Sequence, residues 1–554
     1  MIKKNYKPRV FIILIIFSIL FFTILTRLYL IQIHRKDFFK ILAEQQYKVE
    51  LKINPPRAKI YDSIGKVALT INREVDSTFI LPNQFEEPKK IRSFFKKYFK
   101  KIYKKIKRDK NKKIKFLWLE RRLSKEKLEW FKNFKLNDIH FLKEPARFYP
   151  FPASSTILGF TDIDNFGLAG IEMQFNSRLS GTPTTLELKK DARSGKFYFE
   201  KKIKEKGKKG QPVFLTIDRK LQFLAYEELK KTVDKFEAKS GSVLIIDPDS
   251  GKILTMANYP DFDPNKKEIE QIENTKNRII TECYELGSVM KTFSALAALE
   301  EEVVTPEEEI DCEGKKTYID KFKIENWKSV GVVPFTDVVR LSSNVGIAKI
   351  AKRLGPKLYT HLRRLGFGNK TNIQFPGERS GFVNPPHKWS RPSLLVLSFG
   401  YELMGTILQL GKAFCIISND GYDVCPQLIT KPKKFRSTFR KKIYKDKTIK
   451  QIKKILQTIG NNYKQNLEGF RVMGKTGTAR SVKNGKYSKK HHVYFFGGIV
   501  EKGPYKRVIV TSVNEPKGAH WWASQITAPL FNQVAQRMVI HDLTQLGLSA
   551  SKDF

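Results

Sequence analysis

The longest apolar run in the chain lies close to its N-terminus. Residues 10–26 contain seventeen positions without a charge, and Arg27 ends the run. At a rise of about 1.5 Å per residue, such a helix nearly spans the hydrocarbon core of a membrane, and the LYLIQI segment that follows can complete the crossing. A signal peptide also has a basic start and an apolar run, but this run is long for one and no small-residue cleavage site follows it. The pattern therefore favours an uncleaved anchor over residues 10–30.

Basic residues set the predicted orientation of this anchor. Lys3, Lys4, Lys7 and Arg9 precede the apolar run. By the positive-inside rule, they keep the N-terminal end in the cytoplasm and send the large C-terminal part across the membrane. Because no second apolar stretch of this length follows, we predict a single-pass protein.

Strand-like patterns occur at two distant parts of the chain. Residues 240–258 contain two apolar runs joined by a tight DPDSGK turn, with Asp and Gly where a hairpin needs them. Further strand-like runs lie at 492–500 and 507–513, whereas the sequence between these ends has mostly helical spacing. Strands from both ends that enclose a helical middle predict an α/β fold, with an antiparallel sheet covered by helices.

A lysine-rich segment in the first extracytoplasmic region has helical periodicity. Residues 89–115 contain fifteen Lys and Arg. The apolar positions that recur at helical spacing are Ile91, Phe95, Tyr98, Ile102 and Ile106. A cationic amphipathic helix can lie on anionic lipid. The favoured interpretation is a charged helix that packs by its narrow apolar stripe on the domain beneath.

The composition is strongly basic. In 554 residues, 103 Lys and Arg stand against 56 Asp and Glu, a formal net charge of +47. Such a charge suits nucleic acid, anionic lipid or an anionic polymer as a partner. However, the lysines are spread along the whole chain together with many Ile, Phe and Asn, as composition bias produces, and no nucleic-acid-binding motif accompanies them. We therefore predict no nucleic-acid partner.

The four cysteines do not indicate a metal site. Cys283, Cys312, Cys415 and Cys425 lack C-x-x-C spacing and a neighbouring histidine pattern. A bridge between Cys415 and Cys425 is open in an oxidising compartment, although free buried thiols are favoured. We predict neither a metal nor another cofactor.

The first candidate catalytic motif is Ser288-x-x-Lys291. In a helix these two side chains share a face, and Gly287 marks where the helix begins. A serine at a helix N-terminus lies where backbone N–H groups favour developing negative charge. A lysine in a low-dielectric site loses its proton more easily and can act as a base. The pair by itself is weak, since a lysine-rich chain produces Ser-x-x-Lys by chance.

Two further motifs follow. Ser342 and Asn344 offer a hydroxyl and a carboxamide at a predicted helix entry, where an N-cap is the simpler interpretation. The third motif is Lys475-Thr476-Gly477-Thr478. A cation and two hydroxyls on an extended segment can hold a carboxylate, and a glycine lets a substrate backbone approach; the simpler interpretation is a strand end or turn.

Together the three motifs are specific. Their order and spacing match the signature of penicillin-recognising serine enzymes. The chain resembles the class B penicillin-binding proteins, which are peptidoglycan D,D-transpeptidases. The segments that carry this resemblance are YELGSVMKTF, IIDPDSGKILTMANYPDFDPN and NEPKGAHWWASQITAPLF in the C-terminal part, and PRAKIYDSIG and ARFYPFPASSTILGFTD in the N-terminal part.

The middle motif decides the branch of the family. Elongation-type members commonly end it in Asp, whereas Asn344 is similar to the septal, cell-division type. Three positions depart from the family, because Leu286 and Ile407 stand where proline is usual and Glu402 where glycine is usual. Leu286 removes no reactive atom. A carboxylate at Glu402 could repel an anionic peptide terminus, which puts efficiency in question.

The resemblance implies a domain order. It comprises a cytoplasmic tail at 1–9, a transmembrane anchor at 10–30, a mixed pedestal (dimerisation-like) domain at 31–208, a transpeptidase domain with an all-helical subdomain at 209–545, and a tail at 546–554. A Gly- and Lys-rich stretch that ends at Pro212 agrees with a linker between the two large domains. The transpeptidase domain is then periplasmic, on a bacterial inner membrane.

The resemblance also implies roles for the motif residues. Ser288 is the expected nucleophile, Lys291 its base and Ser342 a proton relay. Asn344 is expected to bind the donor peptide, and Lys475 to supply positive potential. The groups expected to hold the terminal carboxylate are Thr476 and Thr478, with Gly477 between them, and the expected oxyanion hole is formed by the backbone N–H groups of Ser288 and Thr478.

The expected substrates are stem peptides that end in D-Ala-D-Ala, and β-lactams are the expected inhibitors. A lipid-II glycosyltransferase and other division proteins are expected partners, because the region after the anchor resembles the pedestal rather than a glycosyltransferase domain. The anchor and pedestal argue against a released β-lactamase. A catalytically weak or idle scaffold that recruits division proteins is the alternative function.

Overall fold

The computed structural model describes most of the chain. The described residues are 7–82, 85–109, 114, 116–190, 197–266, 271–430, 441–483, 486–518 and 521–545. Lys3, Lys4 and the predicted C-terminal tail at 546–554 lie outside them.

The helices and strands are numbered in chain order. The α-helices are α1 (Lys7–Tyr29), α2 (Lys36–Tyr47), α3 (Pro88–Tyr98), α4 (Lys100–Arg108), α5 (Lys125–Asn133), α6 (Ser155–Leu158), α7 (Gly170–Gln174), α8 (Asn176–Ser180), α9 (Arg219–Lys235), α10 (Arg278–Thr281), α11 (Lys291–Glu300), α12 (Phe335–Arg340), α13 (Asn344–Leu354), α14 (Lys357–Arg364), α15 (Ser393–Leu397), α16 (Ile407–Ser418), α17 (Asp446–Gly460) and α18 (Ala523–Gln545). The β-strands are β1 (Lys48–Ile53), β2 (Ile60–Tyr61), β3 (Ile71–Ile80), β4 (Leu117–Glu120), β5 (His140–Phe148), β6 (Thr184–Lys190), β7 (Phe197–Glu205), β8 (Val213–Phe214), β9 (Ser240–Ile246), β10 (Ile253–Tyr259), β11 (Glu309–Asp311), β12 (Lys316–Ile319), β13 (Phe322–Glu325), β14 (Val332–Pro334), β15 (Phe382–Val383), β16 (Leu403–Met404), β17 (Arg471–Lys483), β18 (Lys486–Lys502) and β19 (Tyr505–Asn514).

The chain divides into two compact units, of which the first comprises Met1–Arg57 and Ser180–Gln211. In it, α1 continues through a π-helical turn into one helix of 28 residues, which is long and apolar enough to cross a membrane. The hydroxyls of Thr23 and Thr26 donate to carbonyl oxygens four residues earlier, so neither polar group is left unsatisfied. After α2, strands β1, β6 and β7 form an antiparallel sheet in that order.

The second unit comprises Ala58–Leu179 and Pro212–Phe554. Its N-terminal part contains a sheet in the order β4-β3-β5, with both pairings antiparallel. Helices α3 and α5 contribute to a small core of their own, in which the Phe94 and Phe134 rings lie 4.8 Å apart. This aromatic core lies beside the short sheet and is separate from the two larger cores of the unit.

The lysine-rich segment packs as the favoured interpretation predicted, but it is not one helix. Ile91 and Phe95 of α3 are fully buried, which confirms packing of the apolar stripe. The helix stops at Phe99, which has non-helical φ and ψ, and its ring stacks on Phe131. Helix α4 then starts anew and has no fully buried residue. A single amphipathic helix was therefore wrong, because Phe99 turns into the aromatic core instead of continuing the stripe.

The C-terminal part contains the predicted antiparallel sheet. Its five strands run in the order β10-β9-β19-β18-β17, with every neighbouring pair antiparallel. The β9–β10 hairpin predicted from the DPDSGK turn is present. The Asp247 carboxylate accepts hydrogen bonds from the backbone N–H groups of Asp249 and Ser250 in that turn. Strands from residues 240–259 and 471–514 thus lie side by side, although about 210 residues separate them in the chain.

Each face of this sheet packs on a different set of helices. Val243 and Ile245 of β9 face a core shared with α9 and α18, whereas Leu244 and Ile246 face the larger core shared with α11 and α16. Side chains of a strand alternate between faces, so a strand buried on both sides reads as a continuous apolar run. This explains why the segment SVLII lacks polar alternation.

The described part of the middle of the chain is mostly helical, as predicted, with three additions. Strands β11 and β14 form one two-stranded antiparallel sheet, β12 and β13 form another, and β15 and β16 form a third. Strands of two to four residues are too short for periodicity to reveal. All four cysteines are free: Cys415 is fully buried and Cys425 is exposed, in agreement with the favoured prediction of unpaired thiols.

Candidate active site

Ser288 lies in a single 3-10 turn, Gly287–Met290, that leads directly into α11. Gly287 has a φ of +57°, and a Cβ atom at that position would lie only 2.2 Å from the Thr478 carbonyl oxygen of β17. Only glycine allows this approach without strain. The turn that carries Ser288 therefore lies directly against the strand of the third motif, and the Ser288 side chain is half-buried.

Lys291 is the first residue of α11, and only 1% of its surface is exposed. Its Nζ donates to the backbone oxygen of Ser342 at 2.6 Å and to Ser342 Oγ at 3.1 Å. Burial, and then the positive charge of Lys475, lower the pKa of Lys291 well below its usual value. A neutral amine is the form that can accept a proton, so this environment suits a general base.

Lys475 also donates a hydrogen bond to the Ser342 hydroxyl. From β17, its Nζ donates to Ser342 Oγ at 3.2 Å and to the Thr476 backbone oxygen at 3.2 Å. Its side chain is 1% exposed, and burial lowers its pKa to about 8. Ser342 Oγ thus lies within hydrogen-bonding distance of two amines that come from parts of the chain 51 and 133 residues away. The three motifs converge at this hydroxyl.

The middle motif begins α13, and the structure confirms its interpretation as an N-cap. Ser343 is the N-cap, and its Oγ accepts a hydrogen bond from the Gly346 backbone N–H at 3.0 Å. Ser342, just before it, has a φ of +58°, which turns its side chain out of the helical path and is costly for a residue with a Cβ. The Asn344 side chain donates to the Glu325 backbone oxygen at 2.7 Å.

Asn326 is a residue of this site that the sequence did not reveal. Its buried Oδ1 accepts hydrogen bonds from Ser343 Oγ at 3.1 Å and from the Asn344 backbone N–H at 2.8 Å. Its Nδ2 donates to the backbone oxygens of Cys312 and Gly314. Asn326 thereby fixes the turn of the middle motif to a neighbouring loop. No local pattern could have found it, because a lone asparagine in a loop carries no spacing signal.

The third motif lies on a regular strand rather than at a strand end. Gly477 faces the Ser288 turn, since a Cβ there would lie 2.8 Å from the Leu286 carbonyl oxygen. Thr476 and Thr478 are half-buried and Arg480 is exposed, whereas the residues between them are buried. Because side chains alternate along a strand, these three share the accessible face. The glycine permits close contact on one face, while the other presents hydroxyls and a cation.

The three departures from the family pattern have different surroundings. Leu286 and Ile407 are fully buried in the larger core. Glu402 has a φ of +56°, a conformation that costs glycine less, and its backbone N–H donates to Glu285 Oε1 at 3.0 Å. The Tyr487 hydroxyl donates to the same oxygen at 2.8 Å. Burial and the nearby Glu402 carboxylate raise the pKa of Glu285. The Glu402 carboxylate thus contributes to the raised pKa of Glu285. Glu285 is the second residue of this site that no sequence motif indicated.

A metal centre has no support in the described part of the chain. No cluster of three or more His, Cys, Asp or Glu side chains suited to a metal ion occurs there.

Two family models match the chain. Residues 52–215 match the penicillin-binding protein dimerisation domain. Residues 241–536, more than half of the chain, match the penicillin binding protein transpeptidase domain. The chain belongs to the penicillin-binding protein transpeptidase family. The second match contains Ser288, Ser342 and Lys475 together, the residues that the geometry joins.

Relatives of this penicillin-binding protein agree with the match. The peptidoglycan D,D-transpeptidase FtsI of Buchnera aphidicola (subsp. Schizaphis graminum) is 30% identical over 79% of this chain and 76% of that protein. A probable peptidoglycan D,D-transpeptidase, PbpC of Pseudomonas aeruginosa, is 29% identical over 96% of this chain and 94% of that protein. The dimerisation and transpeptidase domains together make the chain a class B penicillin-binding protein of the FtsI type, which confirms the predicted family.

Solved structures agree with the fold. Penicillin-binding protein 3 of Mycobacterium tuberculosis, solved in complex with aztreonam, superposes with a TM-score of 0.67 and 22% sequence identity. The superposition covers 89% of this chain and 97% of that chain. The predicted architecture of a mixed pedestal and a helix-covered antiparallel sheet is therefore correct.

Proposed function

We propose that this penicillin-binding protein is a serine D,D-transpeptidase that cross-links peptidoglycan stem peptides in septal wall synthesis. The observation that carries the proposal is the position of Ser342 Oγ, 3.1 Å from Lys291 Nζ and 3.2 Å from Lys475 Nζ, beside the turn of Ser288. The transpeptidase family match and the FtsI relatives support the same reaction.

The first half of the reaction forms an acyl-enzyme. Ser288 Oγ attacks the carbonyl carbon of the penultimate D-Ala of a donor stem peptide and gives its proton to the neutral amine of Lys291. The backbone N–H groups of Ser288 and Thr478 stabilise the oxyanion. The peptide bond to the terminal D-Ala then breaks, and the leaving amine receives the proton through Ser342. The contact of Lys291 with Ser342 rather than with Ser288 supports this relay.

The donor is held by its terminal carboxylate. Thr476 and Thr478 lie on the accessible face of β17 and offer hydroxyl groups to it. Lys475 adds positive potential at this strand. Because the pKa of Lys475 is about 8, a large fraction of the Lys475 side chains is protonated at neutral pH. Asn344 holds the donor backbone from the opposite side through its carboxamide.

The second half of the reaction makes the cross-link. The amine of a neighbouring stem peptide attacks the ester carbonyl carbon, gives up its proton to Lys291 and forms a new peptide bond. Ser288 recovers its proton as its bond to the carbonyl carbon breaks. A β-lactam acylates Ser288 in the same way, but its leaving group stays attached and the ester persists.

The N-terminal anchor supports a proposal for where in the cell the reaction takes place. One N-terminal helix is apolar and long enough to cross a membrane. With Lys7 and Arg9 at its N-terminal end, the positive-inside rule puts that end in the cytoplasm and the transpeptidase domain in the periplasm. A lipid-II glycosyltransferase and other division proteins complete this proposal as partners.

Intact-mass analysis after exposure to benzylpenicillin tests the proposal. We expect one covalent penicillin per chain, mapped to the peptide that contains Ser288, and no adduct on Ser288→Ala. The matched control is Ser294→Ala, which removes a buried hydroxyl six residues further along the chain and leaves the adduct in place. Folded protein that takes up no penicillin would instead favour the alternative, a catalytically idle scaffold for division proteins.

A further inference from the structure

A cavity of about 630 Å³ opens beside Thr478, at the end of the cleft between the Ser288 turn and β17. Its floor is formed by two neighbouring cross-strand pairs of the sheet, Thr478 opposite Tyr494 and Arg480 opposite His492. Facing residues of an antiparallel pair point to the same side, so all four side chains stand on one surface. Of these four residues, only Thr478 has a role in the proposed reaction, and the space beyond it has none.

The cavity is cationic. Arg480 and Lys490 line it and both are exposed, and the described residues that line it include no carboxylate. The carboxylate whose charge interacts with Arg480 is Glu325, but its ion pair, at 2.7 Å, is with Lys323. A surface with two unneutralised cations attracts an anionic ligand, and the planar Arg guanidinium suits a carboxylate in particular.

Aromatic side chains wall the cavity and are fixed in place. The indole N–H of Trp521 donates to the Lys517 backbone oxygen at 2.7 Å, and its ring packs edge-on against Phe236. Across the cavity, the ring of Tyr401 packs edge-on against Tyr487, with the ring centroids 5.6 Å apart. Such walls suit the methylene groups of a ligand whose charged group reaches Arg480.

The geometry of β17 relates this cavity to the donor. Thr476, Thr478 and Arg480 are alternate residues on one accessible face. At about 3.3 Å per strand residue, Arg480 lies roughly 13 Å from Thr476. An extended peptide whose terminal carboxylate lies at Thr476 therefore brings the residues two to three positions before its D-Ala-D-Ala end to the cavity.

We propose that this cavity binds a side carboxylate of the donor stem peptide, upstream of D-Ala-D-Ala, and so selects donors in which that carboxylate is free rather than amidated. The inference rests on the proposed transpeptidase function, because the terminal carboxylate sets the register of the donor. Arg480 and Lys490 are the recognition groups, and the aromatic walls hold the peptide chain between them.

A competition experiment tests the inference. The probes are two stem pentapeptides that end in D-Ala-D-Ala and differ only in a γ-linked D-glutamate, whose α-carboxylate is either free or amidated. Each slows the labelling of full-length protein by fluorescent penicillin, and the concentration that halves the labelling rate is measured. We expect the free peptide to act at about tenfold lower concentration, the effect of one charge-assisted contact near the surface. High salt should reduce this preference.

Two variants locate the effect. Arg480→Gln and Lys490→Gln should each reduce the preference, whereas Arg471→Gln should keep it. Arg471 is the matched control, since it is an exposed arginine of the same strand that pairs with Glu501 away from the cavity. Thermal unfolding midpoints equal to that of wild type show that the variants are folded. The potencies of the two peptides are compared within each variant, so a changed rate of penicillin labelling does not affect the measured preference.

The outcomes separate the two proposals. Equal potency of both peptides on wild type, or an unchanged preference in both Arg480→Gln and Lys490→Gln, would overturn the cavity assignment while penicillin labelling leaves the transpeptidase function intact. Absence of penicillin labelling in folded wild type would overturn the function and the inference with it.

Discussion

Two groups of lysines behave in opposite ways in this protein. Helices α3 and α4 contain eleven Lys and Arg, and their side chains lie on the outside of the pedestal. In the cleft, Lys291 and Lys475 are each 1% exposed, and both donate a hydrogen bond to Ser342 Oγ. Burial lowers the pKa of both cleft lysines. Desolvation is the largest cause of the lowered pKa of both lysines, and the charge of Lys475 adds to it at Lys291.

The comparison also separates two sources of stability. In α3, buried Phe94 and Phe95 hold the segment in place, and the lysines around them stay solvated. In the cleft, two buried amines oppose folding, and hydrogen bonds to Ser342 and to backbone oxygens offset part of that cost. A functional site can therefore be less stable than the rest of the fold, as long as the surrounding cores compensate.

The largest expected effect comes from the buried base. Lys291→Met should reduce the rate of Ser288 acylation by benzylpenicillin by at least about 10³-fold, because the hydroxyl loses its proton acceptor. Lys104→Met, which removes an exposed lysine of α4, should leave the rate unchanged. Stopped-flow labelling with a fluorescent penicillin measures both. If the acylation rate of Lys291→Met lay within tenfold of the wild-type rate, the buried and the exposed lysines would not differ in function.

The pH dependence sharpens the comparison next. The pKa of Lys475 is about 8 in the folded protein, so its positive charge is present below that pH and is lost as pH rises through it. The acylation rate should therefore fall about tenfold per pH unit above pH 8, since the neutral amine no longer attracts the carboxylate of the β-lactam. Lys475→Arg, which stays charged, should abolish this fall in rate. A flat profile from pH 7 to pH 10 in wild type would contradict the assignment.

The same pKa predicts a change in stability. The folded pKa of Lys475 lies below the unfolded one, so the unfolded chain binds more protons between about pH 8 and pH 10, and stability rises with pH in that window. The gain should reach about 3 kcal/mol in the free energy of unfolding, which corresponds to the difference between the two pKa values. Denaturant titrations of wild type and Lys475→Met at both pH values isolate the contribution, and parallel behaviour of the two proteins would argue against a buried, titrating amine.

A neutral residue that supports the cleft should have a smaller effect. Asn326→Ala removes the acceptor shared by Ser343 and Asn344 and should lower the free energy of unfolding by about 2 kcal/mol, with slower acylation. Asn326→Asp keeps that oxygen and should recover part of the acylation rate. Asn462→Ala, at an exposed asparagine, is the control. Thermal unfolding together with the acylation rate tests the prediction, which fails if Asn326→Ala behaves like Asn462→Ala.

The smallest effect is expected on the pedestal surface. The triple variant Lys101→Gln, Lys104→Gln and Lys105→Gln should change the free energy of unfolding by less than about 0.5 kcal/mol and leave acylation unchanged, because solvated charges contribute little. Thermal unfolding and penicillin labelling measure this. A loss above 1.5 kcal/mol would show that these lysines hold the aromatic core together.

Much of the protein could be predicted from the residues alone. The apolar run at the N-terminus indicated one membrane helix, and the DPDSGK turn gave the β9–β10 hairpin, since both depend on neighbouring residues. The spacing of Ser288, Ser342 and Lys475 indicated the family. These features depend on local patterns or on the order of short motifs, and both are present in the sequence itself.

Only the tertiary structure decided which groups meet. Local periodicity could not show that Lys291 bonds Ser342, that Asn326 supports the middle motif, or that Arg480 and Lys490 share a cavity. The same limit applied to the break at Phe99, which depends on a ring from another helix. Contacts between residues far apart in the chain form when helices pack on both faces of one sheet. The sequence contains the residues that make such contacts but does not show which residues contact each other.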